Sequence, residues 1–168
     1  PEGREVERAD IERAVEGAEE WAEYAAQYRL ELTYHIHTNL LVDSVADWTL
    51  YMGLLDKARL CIDVSHAELW GYDPVQSLND FWSQLNYVHL QDYSSCTVRE
   101  PGSYNPEWVS VGEGECLDFA GVLKTLDERS FSRWVTSCPG APLYEGEDAI
   151  SEAKRSSRMR EYLRGLGY

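Results

Sequence analysis

The sequence predicts an α/β fold built on a parallel sheet, and three observations lead there. Short apolar runs alternate with amphipathic segments in the order helix, then four strand-and-helix units. Such alternation implies parallel strands joined by right-handed crossovers. Residues suited to start helices (Ser44, Asp73 with Pro74, and Asp118) follow the first three runs. Those same three runs end in ionisable or metal-capable side chains, while their middles carry few.

Taken in order, residues 1–28 read as one amphipathic helix, with Ile11, Val15, Ala18, Ala22, Ala25 and Ala26 on one side. Residues 29–35 form a strand that breaks into the polar cluster His35, Ile36, His37, Thr38 and Asn39. Ser44 caps a helix to about residue 58. Residues 59–63 are the second strand, which runs into Asp63, Val64, Ser65 and His66. A helix opens at Asp73 and Pro74, and residues 86–90 are the third strand, ending at His89 and Asp92. Residues 93–115, rich in Gly, Pro, Ser and Asn, are expected to be irregular. Asp118 caps a helix to about residue 129, residues 131–137 form the fourth strand, and 147–163 a closing helix. No linker or low-complexity tract intervenes. The expectation is one domain over 1–168, a helix at 1–28 and four βα units over 29–168.

Composition narrows the function. Thirty acidic against fifteen basic residues give a net charge of −15, which repels phosphodiester backbones and excludes nucleic acid as a partner. No segment approaches the roughly 18 consecutive apolar residues of a membrane helix, and Pro1 to Glu5 lack the basic-then-apolar order of a secretory leader. Cys61, Cys96, Cys116 and Cys138 include no C-x-x-C pair. Neither a zinc knuckle nor a disulfide scaffold is therefore expected, and a reducing cytoplasm is the default location.

The strand ends carry the chemistry. In β/α barrels several strands deliver active-site residues at their C-terminal ends. His35, His37, Asp43, Asp63, His66, His89 and Asp92 would converge there, including all four histidines of the chain. Each has an ordinary alternative: a hydrogen-bonded structural imidazole, a turn cap at Asp63, backbone-amide binding at Asp92, a helix-start acid at Asp43. Together, two imidazoles and a carboxylate from three strands form an N/O site for Mn²⁺, Zn²⁺, Co²⁺ or Mg²⁺. Trp70, in a loop after His66, is placed to stack on the C–H face of a sugar, whereas Trp134 is expected in the core.

Three segments, Leu60 to His66, then Gly71 to Pro74, then Val88 to Asp92, resemble successive strand ends of the xylose-isomerase-like barrel superfamily. That superfamily includes sugar epimerases, hydroxypyruvate isomerases and inosose dehydratases. The run from Tyr34 to Asp43, with paired histidines before an acid, is most similar to the inosose dehydratase version. Val111 to Phe119 resembles the G-x-G-x-x-D-F entry to the last βα unit, with one extra residue before the Asp. The resemblance implies a (β/α)8 TIM barrel of which this chain carries roughly the C-terminal half, β5 to β8.

It also implies that Asp63 and His89 are metal ligands and that His66 contacts substrate oxygens. His35 or His37 would stand at the metal-binding, proton-shuttling position, with Asp43 the acid beyond, and Mn²⁺ would be the foremost cofactor. Trp70 and Asp92 join His66 on the substrate side. The implied reaction is proton abstraction beside a carbonyl of a polyol, ketose or inosose-like sugar, leading to isomerisation, epimerisation or dehydration.

Three departures stand out. Cys138 (or Ser137, with the register one residue shorter) occupies the place of a final-strand Glu, and as a thiolate it could ligate a soft metal. Gln91 replaces a Lys, and strands one to four of the barrel are absent. These leave open a competing class, a catalytically degraded barrel half serving as a subunit or sugar-binding module. Either way the open sheet edges, with Leu32, Val88 and Val135 expected on the uncovered face, call for a second polypeptide or a second copy. A separate N-terminal half is the favoured completion.

Overall fold

The computed structural model describes residues 6–95, 104–138 and 148–168. Among these residues six α-helices and six strands follow in the order α1 (Arg8–Ala26), β1 (Thr33–His35), α2 (Val45–Leu54), β2 (Arg59–Asp63), α3 (Val64–Leu69), α4 (Pro74–Asp80), β3 (Leu85–Leu90), β4 (Asp92–Tyr93), β5 (Trp108–Val109), α5 (Phe119–Glu128), β6 (Trp134–Ser137) and α6 (Ala149–Gly165). The main sheet has the order β1-β2-β3-β6, and its three pairings are all parallel.

The capping residues act as their chemistry requires. Ser44 accepts from the Asp47 amide, Asp73 from Gln76 and Asp118 from Gly121, each satisfying a first-turn donor. The first strand is shorter than its apolar pattern suggested. Arg29 adopts φ 59°, which ends the run out of α1, and pairing of the chain with β2 begins only at Leu32, whose carbonyl accepts from Arg59 N at 2.8 Å.

Side-chain parity divides the sheet into two unlike faces. Leu60, Ile62, Val88 and Leu90 are fully buried in a core with Trp48, Leu78, Phe119 and Val122 from the helices. Each such burial contributes about 1.5–3 kcal/mol. The opposite face carries His35, Cys61, Asp63, Tyr87, His89, Trp134 and Thr136, aligned by the pairs His35 with Cys61, Cys61 with Tyr87, Asp63 with His89, Tyr87 with Trp134 and His89 with Thr136. Three expectations are corrected, the first two by this parity. Val88 lies beneath the helices rather than on the uncovered face, Val135 shares its side of the sheet, and Leu32 packs against the core. Trp134 is 74% exposed rather than core, because it shares the parity of Tyr87 and His89. The stretch 93–115 is not wholly irregular, since β4 and β5 form a small antiparallel ribbon.

Among the described residues no helix is long and apolar enough to cross a membrane. Cys61 and Cys138 are free thiols, whereas Cys116 is disulfide-bonded, a bond that the spacing of the cysteines did not signal.

Candidate metal centre

Register brings the key side chains together. His35 closes β1 opposite Cys61, and Asp63 lies two residues further along β2, on the same face and directly opposite His89 of β3. Three neighbouring strands therefore each place one donor at the C-terminal end of the sheet. His35 Nε2 lies 3.5 Å from Asp63 Oδ2, and His89 Nδ1 lies 3.4 Å from the same oxygen. All three donor atoms fall within 4.8 Å of one another, the single such group of metal-capable residues among those described.

Asp63 serves two ends at once. Its Oδ1 caps α3, accepting from the Ser65 amide at 3.0 Å and the Ser65 hydroxyl at 2.6 Å. Its Oδ2 is buried and, like buried His89 Nδ1, has no hydrogen-bond partner. Leaving such atoms unmatched costs about 1–3 kcal/mol each. Their geometry suits a cation: bonds of about 2.0–2.2 Å to one ion put adjacent ligand atoms roughly 3.0–3.5 Å apart. Burial acts to raise the Asp63 pKa, but the flanking imidazoles of His35 and His89, helped by Ser65, outweigh it and hold the carboxyl well below the usual range. An anion with two neighbouring imidazole nitrogens is a fitting donor set for a divalent metal, and three protein ligands leave positions open to substrate.

The remaining two histidines stand beside this group. The His37 and His66 rings are 4.0 Å apart, and His66 is 6.4 Å from His35. His66 is fully buried. Burial pushes its pKa down to about 4, against the pull of Asp63 and with help from the other imidazoles, so the ring is neutral. Its Nδ1 meets Thr38 N at 3.3 Å and Thr38 Oγ1 at 3.0 Å, while Nε2 is buried without a partner. His37 Nδ1 lies 2.7 Å from the Thr38 carbonyl. Trp108 of β5 turns its ring against His66 at 5.3 Å. Neither Thr38 nor Trp108 was singled out from sequence. Thr38 is an ordinary residue inside a polar run, and Trp108 comes from the stretch read as irregular.

Other candidates serve nearby loops. Asp43 Oδ1 accepts from Asn39 N at 2.7 Å and from Trp70 Nε1 at 3.2 Å, and the Trp70 ring packs on Trp48. Buried Asp92 accepts from the amides of Tyr93, Gly112 and Gly114, tying the β4–β5 ribbon to the loop before α5. Cys138 lies outside the three-residue group, its amide bonded to Leu90 O at 2.7 Å.

The family model for the xylose isomerase-like TIM barrel matches residues 1–162. The chain is 27% identical over 149 residues to an inosose dehydratase of Geobacillus kaustophilus, covering 80% of this chain and 48% of that protein. The xylose isomerase domain protein of Planctomyces limnophilus superposes with a TM-score of 0.76 at 19% identity, over 99% of this chain and 56% of that one. D-psicose 3-epimerase of Clostridium cellulolyticum, solved with D-tagatose, gives 0.75 at 12% identity, over 99% and 60%. The chain thus spans about half the length of the curated relatives it matches. It belongs to the xylose isomerase-like TIM barrel family.

Proposed function

We propose that this chain forms part of a divalent-metal-dependent enzyme that removes a proton next to a carbonyl in a polyol, ketose or inosose-like sugar. One observation carries the reading: His35 Nε2, Asp63 Oδ2 and His89 Nδ1 converge on one point, and the two buried atoms among them lack any other partner. His35, Asp63 and His89 would hold the ion, with Mn²⁺ the first choice and Zn²⁺, Co²⁺ or Mg²⁺ compatible with the same donors. When bound, a divalent cation supplies the positive charge that stabilises an enolate developing beside the carbonyl.

The chain's own residues account for the rest. A carbonyl oxygen can only accept, so His37 Nδ1 donates to Thr38 O, and in the neutral ring Nε2 then keeps the lone pair. His37 Nε2 is then the base that takes the substrate proton. Neutral His66 and the face of Trp108 line the adjoining space and orient the sugar. We assign Asp43 and Asp92 to holding their loops, and Trp70 to the indole bond on Asp43. The similarity to inosose dehydratases points to dehydration: a proton leaves the carbon beside the carbonyl and hydroxide leaves the next carbon.

The sheet's outer strands, β1 and β6, each have one partner among the described residues, and Trp134 and Val135 at β6 are exposed. These features support further strands completing the barrel, for which we favour a separate N-terminal half over a second copy. A stable, isolated monomer in light scattering, with a cooperative melt, would oppose this. The location we propose is the cytoplasm, where Cys61 and Cys138 stay free thiols.

A second reading is a barrel portion that binds sugar without turning it over; Cys138, outside the three-residue group, favours it. The test is incubation of the Mn²⁺-loaded protein with an inosose and, separately, a ketohexose. Loss of water from the inosose is expected. Saturable binding with no turnover of either would replace the enzyme by the binding module.

A further inference from the structure

We propose that Thr38 is a positioning residue that locks His66 into the tautomer with its proton on Nε2, fixing a neutral N–H donor for a substrate oxygen beside the metal centre. The substrate part rests on the function proposed above; the tautomer part rests on geometry alone.

A backbone N–H can only donate. The Thr38 amide, 3.3 Å from His66 Nδ1, therefore requires a lone pair on that nitrogen. The Thr38 hydroxyl at 3.0 Å must then donate to the same atom. With Nδ1 accepting, the neutral ring carries its proton on Nε2, the buried atom that has no partner. An imidazolium would set an N–H against two donors in a buried place, which agrees with the depressed pKa of His66.

Thr38 is itself buried, at 1% exposure, and its three polar groups reach both rings of the neighbouring pair. Its amide and hydroxyl fix His66 with Nε2 protonated, and its carbonyl fixes His37 with Nε2 bare. Two imidazoles 4.0 Å apart are thereby given opposite hydrogen-bonding characters by one residue. His37 accepts a proton, whereas His66 donates a hydrogen bond and keeps its proton, since its loss would leave a buried imidazolate.

Long-range ¹H–¹⁵N correlation spectra of histidine-labelled protein read both tautomers without any substrate. The wild type should show His66 protonated at Nε2 and His37 at Nδ1. T38V removes the hydroxyl donor and keeps the amide; a minor Nδ1–H population of His66 should become detectable beside the Nε2–H form while His37 stays unchanged. Binding of an inosose to the Mn²⁺-loaded protein should weaken about five- to tenfold, as loss of one hydrogen-bond donor implies, and T38S should restore both signals. Wild-type His66 protonated at Nδ1 overturns the proposal whatever the binding result, and a tautomer ratio untouched by T38V overturns the hydroxyl's part in the lock. If the tautomers behave as stated but inosose does not bind the wild type, the lock on His66 stands and the substrate assigned above falls.

Discussion

Asp63 is the residue at which the proposed centre can be separated from the fold around it. Its two oxygens act independently: Oδ1 caps α3 through Ser65, and Oδ2 faces His35 and His89. Asp63→Asn keeps an acceptor for the Ser65 amide but removes the charge and one metal donor. Mutating residues that merely support metal ligands weakens binding about 10–100-fold, so loss of a ligand should weaken it by about 100-fold or more. With metal at about 100 times its dissociation constant, wild-type protein gains about 2.7 kcal/mol, a rise in melting temperature of roughly 5–11 °C for a domain of this size. At the same metal concentration Asp63→Asn would gain only about 0.4 kcal/mol, roughly 1–2 °C. Asp63→Ala should lose the metal response too, and its metal-free form should be about 1 kcal/mol less stable because the cap is gone. Thermal melts of chelator-stripped protein with and without Mn²⁺ give all six values. A full metal-induced rise in Asp63→Asn would refute the reasoning.

Further outcomes follow from the surrounding contacts. Cys138→Ser should leave metal affinity unchanged by calorimetry, because Cys138 lies outside the group proposed to hold the ion. Gly114→Ala would drive a Cβ into hard overlap with both Asp92 Oδ1 and Tyr93 O; we expect a loss of roughly 2 kcal/mol or more in denaturant melts. Burial opposes ionisation of Glu19, but three amide bonds from Asp56, Lys57 and Ala58 hold its pKa below the ordinary value. Its contribution is therefore present above about pH 4.5 and is lost as pH falls through the lower folded-state pKa. Glu19→Gln should flatten the fall in melting temperature as pH drops below about 4.5; an unchanged slope would count against that bond set.

Much of this was legible in the sequence because the signals were local. Ser44, Asp73 and Asp118 cap the helices that their positions imply, and residues 59–63 pair as the strand their apolar pattern describes. The gathering of histidines at strand ends was legible too, since parallel strands bring those ends to one side. Long-range register was not. Which of the seven candidates share a point depends on the pairing of Asp63 with His89 and of His35 with Cys61. Asp63 shows why a structural and a functional reading need not compete, because one oxygen serves each. Parity misplaced Val88 and Trp134, since the uncovered face of the sheet is polar and the apolar residues alternate to the helices. The β4–β5 ribbon, two residues on each side, is too short to leave a periodic trace, and Trp108 was hidden with it.

Anomalous diffraction from crystals grown with Mn²⁺ would decide whether the three strand ends form a metal centre. The expected result is a single strong peak about 2.0–2.2 Å from His35 Nε2, Asp63 Oδ2 and His89 Nδ1. A peak held by other residues, or none at saturating Mn²⁺ in a protein that still binds the ion in solution, would contradict it.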